Sequence, residues 1–350
     1  MSLKIYGKDK NSLFLTMFLD LNGQDYNLHE IAQQSNNNID AIVEVNDNDV
    51  FIKFEIFHNY RLQVDKIQKI LNEDKNIYVI TNVNIDSLDN PRVIFNDFLF
   101  NRTKAYYSQF PFREKTEKWY HKGQLSYIVP EHNRIKNKIY VAPNKTYNNS
   151  PYRNLIYRKR IVEILKNNYY NSGYLGNCHD DSQKLFLYSN IEFPLMDLER
   201  LEILKLDSDE ISPGYSPPHN EYYRNTFISI YGETVERIGD AVSPTLVVTE
   251  KTFDPLIKGH FILPFSVPGF IKHLKEFYGF RFPDFIDYSY DNINDDKLRF
   301  TAYEAEINRL LNLDIGAWRN YWKINFDNIL RYNQMIFQIR PYDRVDFYKF

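Results

Sequence analysis

Hydrophobic positions along the chain recur with two periods, one strand-like and one helical, and the two alternate. Residues 13–19, 40–45 and 50–57 read as strands. Residues 60–71 carry Leu62, Val64, Ile67, Ile70 and Leu71 at helical spacing, and 76–83 is again a β-branched strand. Strand, helix, strand in that order predicts a parallel sheet with crossover helices.

A polar, irregular stretch over 113–138, with several lysines and Pro130, interrupts the pattern. Beyond it, 138–143 is a short buried strand, and 144–150 is a loop of turn formers. Pro151 opens a long helix with Ser150 as its N-cap, running to about Tyr170 and ended by Gly173. Further strands are expected at 185–187, 226–231 and 260–265. An amphipathic helix is expected over 296–311, and a last helical run over 317–338 contains Trp318 and Trp322. The chain thus divides into residues 1–135, 136–315 and a helical segment 316–350.

Composition narrows the class without naming a chemistry. Of 350 residues, 43% are hydrophobic and 25% charged, the balance of a globular protein. Its 28 Tyr and 26 Phe mean that cores are built from rings whose hydroxyls need partners. A net charge of -3 argues against a nonspecific nucleic-acid binder. The single cysteine, Cys178, excludes an internal disulfide and reads as an ordinary thiol of a reducing compartment. The first ten residues lack an apolar signal core, and no run of about eighteen apolar residues occurs. The expectation is a cytoplasmic protein without a membrane span.

The chemistry concentrates between Thr226 and Gly269. One strand ends at Gly232-Glu233, Thr249-Glu250-Lys251 opens a helix, and a second strand ends in Ser266-Val267-Pro268-Gly269. Open α/β sheets bind ligands beyond the carboxyl ends of their strands, where Glu233, Thr249, Glu250, Lys251 and Ser266 fall. Thr249 suits the N-cap and Glu250 the positive helix end, but Lys251 opposes the helix dipole by roughly 0.3–1 kcal/mol. A bound diphosphate removes that conflict, and a carboxylate beside it can accept both hydroxyls of a ribose. Pro255 requires either a kink in this helix or an irregular first turn. Arg153 is a second phosphate candidate, in the first turn after a strand and loop, and Arg224 lies just before a strand. Arg158, Lys159 and Arg160 read as a solvated helix face.

The segment Val248-Thr-Glu-Lys-Thr-Phe-Asp-Pro-Leu-Ile-Lys-Gly259 resembles the donor-site motif of the alpha-1,3-fucosyltransferases. It is more similar still to a group of uncharacterised viral and bacterial glycosyltransferases. In those, a Thr-Glu-Lys turn, a strand, a Pro-Gly helix start and an Asp-x-x-Tyr-Asp element follow in this order, the last being Asp287-Tyr-Ser-Tyr-Asp291 here. The resemblance covers about residues 138–311, and Pro255 departs from the fucosyltransferase pattern. It implies an α/β, GT-B-like fold of two Rossmann-like domains facing a cleft. Donor binding by Glu250 and Lys251, and inverting sugar transfer to an acceptor hydroxyl without an essential metal, are implied with it. The nucleotide sugar is then a substrate, and no separate cofactor is expected.

Inverting transfer needs a general base, which in a two-lobed transferase comes from the N-terminal domain. Glu55 and His58, at the end of the strand 50–57, are the candidates. No paired-Cys or His-x-x-x-His spacing suggests a metal. Neither Walker nor Gly-x-Gly-x-x-Gly loops are present. Two other functions compete: transfer of sugar to bases of viral DNA through a basic N-terminal cleft (Arg102, Lys104, Arg113, Lys115, Lys118), and noncatalytic nucleotide or carbohydrate binding on the same fold.

Overall fold

A computed structural model describes residues 3–7, 26–30, 41–45, 48–55, 68–69, 71–72, 77–81, 90–95, 97–107, 136–142, 156–175, 220–233, 246 and 248–341. The chain forms two compact units. One comprises Met1–Gly123, Thr245–Val247 and Pro341–Phe350, and the other Gln124–Pro244 and Val248–Arg340. The division near residue 123 falls within the polar stretch 113–138, and the helices over 315–339 lie in the second unit.

The first unit holds a six-stranded sheet in the order β2-β1-β3-β4-β5-β6. Its strands are β1 (Leu3–Gly7), β2 (Tyr26–Glu30), β3 (Ala41–Val45), β4 (Asn48–Glu55), β5 (Ile77–Thr81) and β6 (Val93–Phe95). Helix α1 (Phe98–Tyr107) follows. The sheet is mixed, which corrects the parallel expectation: β3 pairs antiparallel with both β1 and β4, while β4-β5 and β5-β6 are parallel. The reason is the two-residue connection Asn46-Asp47, long enough only for a hairpin. Residues 13–19 lie outside the described residues.

In the second unit, strands β7 (Tyr140–Ala142), β8 (Gly173–Leu175), β9 (Ile228–Gly232) and β10 (Phe261–Phe265) form a parallel sheet in the order β10-β9-β7-β8. Every residue of β9 and β10 is buried, as expected for strands covered on both faces. Phe261, Leu263, Phe265, Ile228 and Ile230 pack with α2 (Ile156–Tyr169), α6 (Asp296–Leu311) and α7 (Ile315–Ile324). On the opposite face lie α4 (Glu250–Ile257), α5 (Phe270–His273, extended by a π-helical turn, Leu274–Tyr278) and α8 (Tyr332–Ile339). The short α3 (Asn220–Asn225) leads into β9. Helices on opposite faces follow from the strand order: β7 crosses one way to β8 and β9 the other way to β10, and right-handed crossovers then alternate sides.

Gly173 both caps the 3-10 turn Tyr170–Ser172 that ends α2 and begins β8. It sits opposite Tyr140 on the neighbouring strand, and a Cβ there would run into the Tyr140 ring, so only glycine admits the ring. The strand expected at 185–187 lies outside the described residues. The run 317–338 is not one helix either. A π-helical stretch, Phe326–Arg331, separates α7 from α8.

Edge strand β10 is closed by hydroxyls. Tyr288 donates to the Ile262 carbonyl at 2.8 Å, Tyr290 to Pro264 at 2.8 Å and Tyr303 to Leu263 at 2.9 Å. Phe261 N–H and the Phe265 carbonyl bond toward the β9 side, so by alternation Ile262 and Pro264 point outward. Pro264 therefore forfeits no ladder bond, which is how proline fits an edge strand. Burial holds the Tyr288 and Tyr290 phenols well above their ordinary range, which keeps them donors. Tyr290→Phe is expected to lower stability by about 1–2 kcal/mol, because it leaves a buried carbonyl unsatisfied. An unchanged urea midpoint at constant slope would contradict this.

Candidate functional site

In a sheet ordered 2-1-3-4 by chain position, the order reverses between β7 and β9, and open α/β sheets bind ligands beyond the carboxyl ends of such a pair. Glu233 is the first residue beyond β9. It is fully buried, and its side chain is turned into the Thr249-Glu250-Lys251 turn. Thr249 donates its N–H to Oε1 at 2.8 Å and its hydroxyl to Oε2 at 2.6 Å. Thr252 adds a third bond to Oε1 at 2.9 Å, and Tyr231 donates to the Thr252 hydroxyl at 2.8 Å. Burial, reinforced by the nearby Glu233 carboxylate, raises the Tyr231 phenol well above its ordinary range, so this donor stays protonated.

The backbone of Glu233 is engaged as well. Its N–H donates to the Phe265 carbonyl at 2.8 Å, and its carbonyl accepts from Arg158 Nη2 at 2.5 Å. One residue thus joins the ends of β9 and β10, the first turn of α2 and the N-terminus of α4.

Thr249 is the N-cap of α4, its hydroxyl oxygen accepting the Lys251 N–H at 3.3 Å. The helix runs through Pro255 without a break and ends in a Schellman turn. His260 N–H reaches the Pro255 carbonyl at 3.0 Å and Gly259 N–H reaches Leu256 at 3.2 Å, with Gly259 at φ 70° in the left-handed region that favours glycine. The side chains of Glu250 and Lys251 keep 26% and 17% exposure and lie 3.6 Å apart, so both signs of charge stand at the mouth of the turn.

The segment after β10 meets the same edge of the sheet. Gly269, at the N-cap of α5, has no side chain, and Asp291 takes that part from across the chain. Its Oδ2 accepts from Ile271 N–H at 3.0 Å and Lys272 N–H at 3.3 Å, and its carbonyl accepts the Gly269 N–H at 2.8 Å. Burial raises the Asp291 carboxyl above its ordinary value, against the pull of these amides and of Arg299. The Pro-Gly helix start and the Asp287–Asp291 element are therefore two halves of one cap. Arg299, 1% exposed, donates to the Ser266 carbonyl at 3.1 Å, Ile293 at 3.0 Å and Asp296 Oδ1 at 2.7 Å.

Of the residues expected at the site, Glu233, Thr249, Glu250 and Lys251 come together. Arg224 does not join them. It sits in α3 ahead of β9, at the opposite edge of the sheet, where its carbonyl accepts from Lys136 Nζ at 3.2 Å. Glu55 is the last residue of β4, in register with Thr81 of β5. Arg153 and His58 lie outside the described residues.

Arg158 was the residue hidden in the sequence. It is not on a solvated face but 2% exposed, whereas Arg160 is half-exposed and pairs with Glu163 at 3.0 Å and Glu304 at 3.5 Å. Its spacing from Ile161 and Leu165 carried the signal, since positions three and seven apart share a helix face.

Among the described residues, no group of three His, Cys, Asp or Glu side chains is placed to hold a metal ion, and no helix is long and apolar enough to cross a membrane. Compared with known proteins, the chain matches no family model, no curated protein and no solved structure.

Proposed function

We propose that the chain is a GT-B-like glycosyltransferase that binds a nucleotide-sugar donor at the carboxyl edge of the four-stranded parallel sheet. The observation that carries this reading is the coincidence of two independent features at one place. The Thr249-Glu250-Lys251 turn lies against the end of β9, beside the point where the strand order reverses, through bonds of 2.8 and 2.6 Å to Glu233. In this reading Lys251 and the α4 amides receive the diphosphate, and Glu250 accepts hydroxyls of the ribose. Arg153 adds a second cation to the phosphates. Sugar passes to an acceptor hydroxyl by inverting displacement, with Glu55 or His58 as the general base.

The reading is tested by thermal unfolding with UDP, GDP, CDP or ADP, each with and without EDTA. Saturation at about 100 times Kd raises apparent stability by about 2.7 kcal/mol. One nucleotide is expected to raise the melting temperature of the wild type, independent of EDTA, and Lys251→Ala is expected to abolish that rise. No shift with any of the four would remove the donor site.

A further inference from the structure

We infer that Glu233 is a positioning residue, which locks the Thr249–Lys251 turn to the strand ends so that Glu250 and Lys251 face a ligand in one fixed arrangement. The consequence for donor binding rests on the reading above; the locking itself does not. A carboxylate offers about four acceptor positions. Three in Glu233 are taken by Thr249 N–H, the Thr249 hydroxyl and the Thr252 hydroxyl, at 2.8, 2.6 and 2.9 Å. The side chain is fully buried, so it reaches no ligand itself.

What it controls is the geometry of the next two residues. Thr249 Oγ1 has two tasks: it donates to Glu233 and accepts the Lys251 N–H. Fixing the hydroxyl hydrogen on the carboxylate aims the oxygen's lone pair at Lys251, which sets the first turn of α4. Through its backbone the same residue is tied to β10 and to Arg158 of α2. The turn is thereby referenced to the rigid sheet. Such support from packed, hydrogen-bonded neighbours holds binding groups to their working geometry.

Glu233→Gln tests this with nearly unchanged volume. The amide nitrogen can only donate, so Thr249 Oγ1 must accept from both Gln and Lys251, and its own hydrogen loses its partner. Amide hydrogen exchange across 249–252 is expected to quicken about tenfold, and affinity for whichever of UDP, GDP, CDP or ADP the wild type binds is expected to fall about tenfold. Thr249→Ser keeps the hydroxyl and is expected to leave exchange across the turn as in the wild type. Tyr290→Phe serves as the control for a general loss of stability, since it weakens β10 without touching the turn, and should alter neither exchange nor affinity.

Unchanged exchange at the turn in Glu233→Gln would overturn the inference. So would faster exchange with full nucleotide affinity, in a protein whose Lys251→Ala variant loses binding, because the residue would then support the fold alone. A wild type that binds none of the four nucleotides would sink the donor reading, and the exchange comparison would still decide whether Glu233 holds the turn.

Discussion

Replacing Arg299 with alanine is expected to destabilise the protein by about 3–5 kcal/mol, the usual result of removing one partner from a buried charged network. The guanidinium is almost wholly inside and lies 5.2 Å from the Phe265 ring centroid. It supplies donors to carbonyls of Ser266, Ile293 and Asn294 and pairs with Asp296 at 2.7 Å. Alanine leaves these acceptors without their donors and opens a cavity beside β10. Domains are stable by about 5–15 kcal/mol, so the variant would sit close to unfolding at room temperature. Arg299→Lys should recover only part of the loss, because an ammonium cannot fork toward two directions as a planar guanidinium does. Urea unfolding of both variants measures it, and a loss under about 1 kcal/mol in the alanine variant would show that this network is dispensable.

The second large effect is expected on acidification. His260 is buried beneath the start of β10, with Nε2 2.6 Å from the Tyr223 carbonyl and Nδ1 3.1 Å from the Ser229 hydroxyl. A neutral ring that donates from Nε2 and accepts at Nδ1 satisfies both. Burial depresses its pKa well below the ordinary value, and the cations of Lys136 and Lys258 depress it further. The unfolded chain then takes up a proton near pH 6.5 that the folded chain refuses. Stability from this group is complete above about pH 6.5, and falls by about 1.4 kcal/mol per unit below it, until the folded ring itself titrates. Comparing urea midpoints of the wild type and His260→Gln between pH 7.5 and 5 isolates the contribution. Equal slopes in the two proteins would refute it.

Local signals were legible in the sequence and distant ones were not. Helix α6 was expected over 296–311 and spans Asp296–Leu311, because its period and its Asp295 cap, bonded to Leu298 N–H at 2.8 Å, are written within a few residues. Thr249 was readable as an N-cap for the same reason. Strand β8 escaped notice, being three residues long and headed by a glycine that reads as a helix stop. The π-helical turn between α7 and α8 preserves enough helical spacing to hide the interruption. At the site, a strand-end position was enough to mark Glu233, but its inward orientation depends on Thr249, sixteen residues onward, and on Thr252. The fate of Arg158 similarly depends on a carbonyl 75 residues away.

The two tyrosine hydroxyls on the outward carbonyls of β10 also decide how this sheet can grow. A strand added beside β10, from another protein or from an inserted segment, would find its would-be acceptors occupied at Ile262 and Pro264, and no N–H offered by Pro264. Lateral extension past β10 is therefore disfavoured, whether by fibril-like stacking or by strand exchange between copies.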